Sequence, residues 1–150
     1  MEKISLIVPC YNEEEVLLFF YEEFQKITSE LNKYRTEVIF VDDGSSDRTI
    51  QVIKEIAKND DRVKYISFSR NFGKEAAIYA GFSYADGDYI AMLDADLQDP
   101  PSLLPEMIQG IVKEGYDSVA TRRVSRKGEP PVRSFFARLF YRLINKISTA

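Results

Sequence analysis

The sequence predicts an α/β domain, a parallel β-sheet with helices packed on both faces. Two observations predict it. Short apolar runs alternate with longer amphipathic stretches along the chain. The apolar runs are near-continuous, the mark of strands buried on both faces, and the connections between elements are short. At 150 residues the chain has the length of one ordinary domain.

Ile4–Val8 reads as the first strand, apolar apart from Ser5 and closed by Pro9. Asn12 is placed to cap the following helix, with Glu13, Glu14 and Glu15 in its first turn where they oppose the helix dipole. That helix is expected to run to about Asn32. Glu37–Val41 is the second strand and ends at Asp42-Asp43-Gly44. Ser46 or Asp47 caps a second helix through about Lys58, Val63–Phe68 forms the third strand, and Lys74–Tyr84 the third helix. Asp88–Leu93 is the fourth strand and leads into Asp94-Ala95-Asp96. Asp99, Pro100 and Pro101 start a fourth helix, because proline at the first helical positions gives up no needed hydrogen bond. Gly115 is placed to close it, and Ser118–Ala120 is the core of a fifth, short strand.

The chain therefore divides into a core, residues 1–121, a basic mobile loop, 122–131, and an amphipathic helix, 132–150. In that last segment Phe135, Phe136, Leu139, Phe140, Leu143, Ile144 and Ile147 fall on one side, with Arg138, Arg142 and Lys146 away from it. The pattern suits a helix lying in a membrane interface, or one packed on its own domain. Charge favours the membrane. From Arg122 onward there are eight basic residues and one acidic, against twelve and twenty-three before it. An acidic body argues against nucleic-acid binding, and a basic tail argues for an anionic surface near it. The pattern stops without a cap at Ser148-Thr149-Ala150, as in a chain expected to continue.

Composition excludes several chemistries. The chain has no histidine, which removes Ser-His and Cys-His nucleophilic pairs and His-ligated zinc. A metal would have to take oxygen ligands, favouring Mg2+ or Mn2+. The single cysteine, Cys10, forms no internal disulfide, which suits a reducing compartment. Ile4–Cys10 is too short for the apolar core of a signal peptide, so none is expected there, and no apolar run approaches the length that spans a bilayer. No Gly-x-Gly-x-x-Gly follows the first strand and no P-loop signature is present.

In an open parallel sheet ligands bind at the carboxyl ends of the strands. Polar residues gather there: Pro9 to Glu13, Asp42 to Asp47, Ser69 to Lys74, and Asp94 to Asp99. Asp94 and Asp96, two apart at a strand end, can both face a hard cation that also takes phosphate oxygens. Asp42 directly follows apolar Val41, and a buried carboxylate there needs a partner, which a base-ring or ribose donor would supply. Arg70 and Lys74 stand in a loop suited to phosphate contact, or pair with nearby acids.

Four motifs together resemble the family 2 glycosyltransferases of the GT-A fold, a Rossmann-like parallel-sheet sandwich. They are Ile7-Val8-Pro9-Cys10-Tyr11-Asn12-Glu13-Glu14, Val41-Asp42-Asp43-Gly44-Ser45-Ser46-Asp47-Arg48-Thr49, Ser69-Arg70-Asn71-Phe72-Gly73-Lys74-Glu75, and Asp94-Ala95-Asp96-Leu97-Gln98-Asp99-Pro100-Pro101. The third and fourth are most similar to those of polyprenyl-phosphate sugar transferases such as dolichyl-phosphate mannose synthase and undecaprenyl-phosphate glucosyltransferases. The resemblance implies that Pro9, Tyr11, Glu13 and Asp42 hold the nucleotide base and ribose. It implies that Asp94, Asp96 and Gln98 hold Mg2+ or Mn2+ on the diphosphate, and that Arg122 or Arg123 contacts phosphate. The implied reaction is inverting transfer of a hexose from a nucleotide sugar, UDP-linked by preference, to a polyprenyl phosphate at the cytoplasmic membrane face. An acceptor-side acidic motif and membrane-spanning helices are expected beyond residue 150, so no catalytic base is assigned and this segment is expected to bind donor but turn over poorly. A non-catalytic sugar-nucleotide-binding module, a polysaccharide synthase acting on a sugar hydroxyl, and a metal-dependent phosphoryl transferase are the competing readings. Homo-oligomerisation is left open.

Overall fold

The computed structural model describes residues 1–98 and 100–121. Among the described residues four strands and four helices alternate: β1 (Lys3–Cys10), α1 (Leu17–Glu30), β2 (Arg35–Asp42), α2 (Thr49–Asn59), β3 (Val63–Ser67), α3 (Lys74–Tyr84), β4 (Tyr89–Met92) and α4 (Leu104–Glu114), the last preceded by a 3-10 turn at Pro101–Leu103. The strands form one parallel sheet in the order β3-β2-β1-β4. Met1–Val119 make one compact unit.

The side-chain alternation of β1 divides the core. Ile4, Leu6, Val8 and Cys10 point to the face covered by α1, α2 and α4, where Phe20, Phe24, Ile53, Leu104 and Ile108 meet them. Ile7, with Ile39 and Val41 of β2, points to the other face, where Ala77 of α3 packs. Three helices thus cover one face and one the other, and the buried stretches of β1 and β2 are mostly apolar on both sides. Gly81 lets α3 sit close: a Cβ there would lie 2.4 Å from Ile7 Cγ2. At the amino ends of the strands one buried carboxylate, Glu37, is met by Ser5 Oγ at 2.6 Å, Lys3 at 2.8 Å and Lys64 at 2.7 Å.

Strand order determines where a ligand can enter. From β1 the chain winds outward through β2 to β3, then crosses back to place β4 on the other side of β1. The strand order reverses between β1 and β4, and the crevice lies at the carboxyl ends of these two strands, the usual place for a ligand in an open parallel sheet.

Three expectations are corrected. Asn12 does not cap α1: the helix starts at Leu17 after a turn in which Val16 and Leu17 donate to the Glu13 carbonyl, and no acidic residue lies in its first turn. Asn12 instead takes φ 56° and turns its side chain across to Ser46. The N-cap position of α2 is Arg48, not Ser46 or Asp47, although Asp47 Oδ1 still accepts from Thr49 N–H at 2.9 Å. Ser118–Ala120 forms no strand, since a strand needs a hydrogen-bonded neighbour and none pairs with it among the described residues. Val119 lies against Gly110 of α4. Gly115 closes α4 as expected, at φ 73°. The expected cap at Asp99, the loop 122–131 and the helix 132–150 lie outside the described residues.

Candidate active site

Two loops are laced together beside the crevice. Asn12 N–H donates to Ser45 Oγ at 2.9 Å, and Ser46 N–H donates back to Asn12 Oδ1 at 2.9 Å. Glu13 N–H donates to Thr49 Oγ1 at 2.8 Å. Each bond joins the β1–α1 turn to the β2–α2 turn or to the first residue of α2, so the two hold each other's shape without a ligand.

The paired aspartates at the end of β2 have different roles, because neighbours on an extended chain point opposite ways. Asp42 is buried, and its Oδ1 accepts from Ser45 N–H at 3.1 Å while Oδ2 accepts from Ser67 Oγ at 3.0 Å. The partner its burial requires is thus supplied from within the chain. Asp43, also buried, accepts from Phe72 N–H at 2.7 Å and Gly73 N–H at 2.9 Å, one on each oxygen. It ties the β3–α3 loop to the end of β2. Gly44 makes the approach possible: it takes φ 69°, and a Cβ would lie 2.3 Å from the Arg70 carbonyl carbon.

This tie aims α3. Its first residue, Lys74, reaches across the crevice and grips Asp94 with Nζ 2.6 Å from Oδ1 and 2.8 Å from Oδ2. Asp96 is exposed, and its Oδ1 accepts from Gln98 N–H at 3.0 Å across Leu97, which takes φ 57°. A left-handed backbone is unusual for leucine and sits between the two aspartates and the following turn.

The crevice has a volume of about 380 Å³ and is lined by Pro9, Cys10, Tyr11, Glu13, Asp43, Asn71, Gly73, Lys74, Ala77, Asp94, Ala95 and Asp96. Burial raises the Glu13 carboxyl above its usual range, and the charges of Asp96, Asp47 and Asp94 push in the same direction. Acids from β1, β2 and β4 therefore feel one another across the crevice. Burial, with Glu13 and Asp42 nearby, also pushes the Cys10 thiol well up, which keeps it protonated and unsuited to act as a nucleophile.

Of the residues singled out in the sequence, Pro9, Tyr11, Glu13, Lys74, Asp94 and Asp96 line the crevice. Asp42, Arg70 and Gln98 do not line it; the Arg70 guanidinium stacks over the Phe72 ring at 4.6 Å. Arg122 and Arg123 lie outside the described residues. Sequence reasoning missed Asp43, Asn71 and Gly73 as lining residues. The signal for Asp43 was its place beside Asp42, since two successive residues at a strand end point to opposite faces and cannot serve the same partner.

The family model described as Glycosyl transferase family 2 matches residues 5–147. The chain is 48% identical over 143 residues to "Putative glycosyltransferase CsbB" of Bacillus subtilis (strain 168), covering 95% of this chain and 43% of that protein. It is 42% identical over 147 residues to "Bactoprenol glucosyl transferase" of Shigella phage SfV, covering 98% of this chain and 47% of that one. It thus spans about half the length of the curated relatives it matches. Among solved structures it superposes on the mannosyltransferase PcManGT from Pyrobaculum calidifontis, in complex with GDP-Man and Mn2+, with a TM-score of 0.64 at 22% identity. That match covers 74% of this chain and 32% of that one, and shows that the sheet and its helices have the GT-A arrangement.

Proposed function

This chain belongs to glycosyl transferase family 2, and we propose that it forms the donor-binding part of an enzyme transferring a hexose from a nucleotide sugar, UDP-linked by preference, to a polyprenyl phosphate. The observation that carries the reading is the convergence of Glu13, Asp94 and Asp96 with Lys74 on one crevice where the strand order reverses. The name of the phage relative, a bactoprenol glucosyl transferase, supports the lipid acceptor.

A hard divalent cation fits the residues present. Every acidic donor lining the crevice is a carboxylate, and the chain has no histidine to favour zinc. Among the described residues no three acidic or thiol side chains form a metal cage by themselves. Two carboxylates completed by phosphate oxygens is a usual mode for Mg2+. Asp94 and Asp96 would hold the ion, with Gln98 following them, and when bound it supplies neutralisation of charge on the departing diphosphate.

The chain's own residues do the rest. Pro9, Tyr11 and Glu13 shape the wall for the base and ribose, Asp42 keeps that wall's loop in place, and Asp43 sets the loop that presents Lys74. Transfer joins an oxygen of the acceptor phosphate to the anomeric carbon as the bond to the nucleoside diphosphate breaks, with inversion. Phosphate is already anionic, so alignment matters more than a general base. Arg122 or Arg123 is proposed to reach the phosphates, and the basic segment after residue 121 to sit at the cytoplasmic membrane face.

A thermal-unfolding panel of UDP- and GDP-sugars, with and without Mn2+, tests this. A donor at a hundred times its Kd stabilises the fold by about 2.7 kcal/mol. UDP-hexoses with Mn2+ are expected to give the largest rise and Asp96→Asn to remove the Mn2+-dependent part. Equal unfolding temperatures across the panel would refute the proposal.

A further inference from the structure

We infer that Lys74 is a resident counter-cation of the crevice, which holds Asp94 while the site lacks a divalent ion and releases it to pair with the donor's diphosphate once an ion is bound. The inference rests on the donor-binding reading above and adds a role for a residue which that reading leaves as a general phosphate contact.

Three observations carry it. First, Lys74 takes both oxygens of Asp94, at 2.6 and 2.8 Å, so the ammonium occupies the carboxylate that a hard cation would need. Second, Lys74 is the one basic residue among the described residues lining the crevice, where Glu13, Asp94 and Asp96 repel one another. Third, Lys74 opens α3, immediately after its N-cap residue Gly73. The amino end of a helix carries partial positive charge, so a cation there is disfavoured unless an anion offsets it. Asp94, with Glu75 in the first turn, supplies that anion in the unliganded chain, and a diphosphate would replace Asp94 in the liganded one.

The pair is also easy to part. The Lys74 side chain is 54% exposed and that of Asp94 36%, and ion pairs so exposed to water are weak. Lys74 therefore offsets the repulsion among the acids of the crevice without blocking a divalent ion outright. One side chain then serves two anions in turn, which couples metal binding to donor binding: each ligand lowers the cost of the other.

Calorimetry on the chain separates the outcomes, with Mn2+ alone, UDP alone, and UDP in saturating Mn2+ as probes. Lys74→Met is expected to bind Mn2+ alone about three- to fivefold tighter than the unaltered chain, the scale of a lost exposed ion pair. The same variant should bind UDP with Mn2+ about tenfold more weakly, for want of a charge-assisted hydrogen bond. Lys74→Arg should restore both, and Lys74→Gln repeats the test should the methionine variant fold poorly. A merely structural Lys74 would weaken both ligands together, and that result, or unchanged Mn2+ affinity, overturns the inference. If the unaltered chain binds neither Mn2+ nor UDP with Mn2+, the donor-binding reading itself has failed, and this one with it.

Discussion

At the scale of single residues, Gly44 is constrained twice. Its φ of 69° costs an L side chain about 1–2 kcal/mol, and a Cβ would stand 2.3 Å from Arg70 backbone that cannot swing aside. Gly44→Ala is therefore expected to lower the melting temperature by on the order of 10 °C, measurable by circular dichroism. Asp43 is the other residue on which the site's shape turns. Asparagine there offers one carbonyl and an amide that cannot accept, so either Phe72 or Gly73 N–H loses its partner. Asp43→Asn should accelerate amide exchange at those two positions by about tenfold or more, while exchange in β1 stays slow. Unchanged protection at both would show that the loop keeps its shape without the tie.

At the scale of elements, the turn from α2 into β3 carries a pH-dependent clamp. Asp60 is gripped by Arg62 through Nε and Nη2, at 2.9 and 2.7 Å, and receives Tyr21 O–H from α1 at 2.8 Å. The Arg62 hydrogen bonds, outweighing burial, hold the Asp60 carboxyl down at about 2. Its unfolded value is about 3.9. Because the folded value is the lower, the stabilisation is complete above about pH 4 and is lost as the pH falls towards 2. The full linkage is about 2.6 kcal/mol, and with the Arg62 side chain 41% exposed we expect about 1–2 kcal/mol. In urea unfolding, Asp60→Asn should cost that much at pH 7 and almost nothing near pH 2. A cost independent of pH would show that the clamp is held by packing instead.

At the scale of the whole molecule, charge is divided along the chain. From Arg122 onward there are eight basic residues and one acidic, behind a body with nearly twice as many acids as bases. No helix among the described residues is long and apolar enough to cross a membrane. The basic segment proposed above to sit at the membrane would be drawn to anionic lipid by about 1 kcal/mol for each basic residue near the surface. The chain should sediment with phosphatidylglycerol vesicles at low salt, release as salt rises, and ignore phosphatidylcholine vesicles. Equal binding to both would point to apolar insertion instead of charge.

Much of this was legible in the chain itself. Buried strands of a parallel sheet are apolar on both faces, so Ile4–Val8 and Glu37–Val41 announce themselves locally, and polar residues directly after them mark the ligand edge. That logic placed Glu13, Asp94 and Asp96 at one crevice. It failed where local signals have two uses: Asn12 has the chemistry of a helix cap, yet its side chain bonds a loop 34 residues away. It failed again at Ser118–Ala120, where apolar residues suit a strand only if a neighbour is there to pair. The tertiary structure alone decided that β4 returns beside β1, that Asp42 is held internally while Asp43 lines the crevice, and that Lys74 closes on Asp94. Periodicity reports how a segment meets its immediate surroundings. Lateral strand order and the choice of an ion-pair partner depend on how distant segments pack, and no local pattern encodes that.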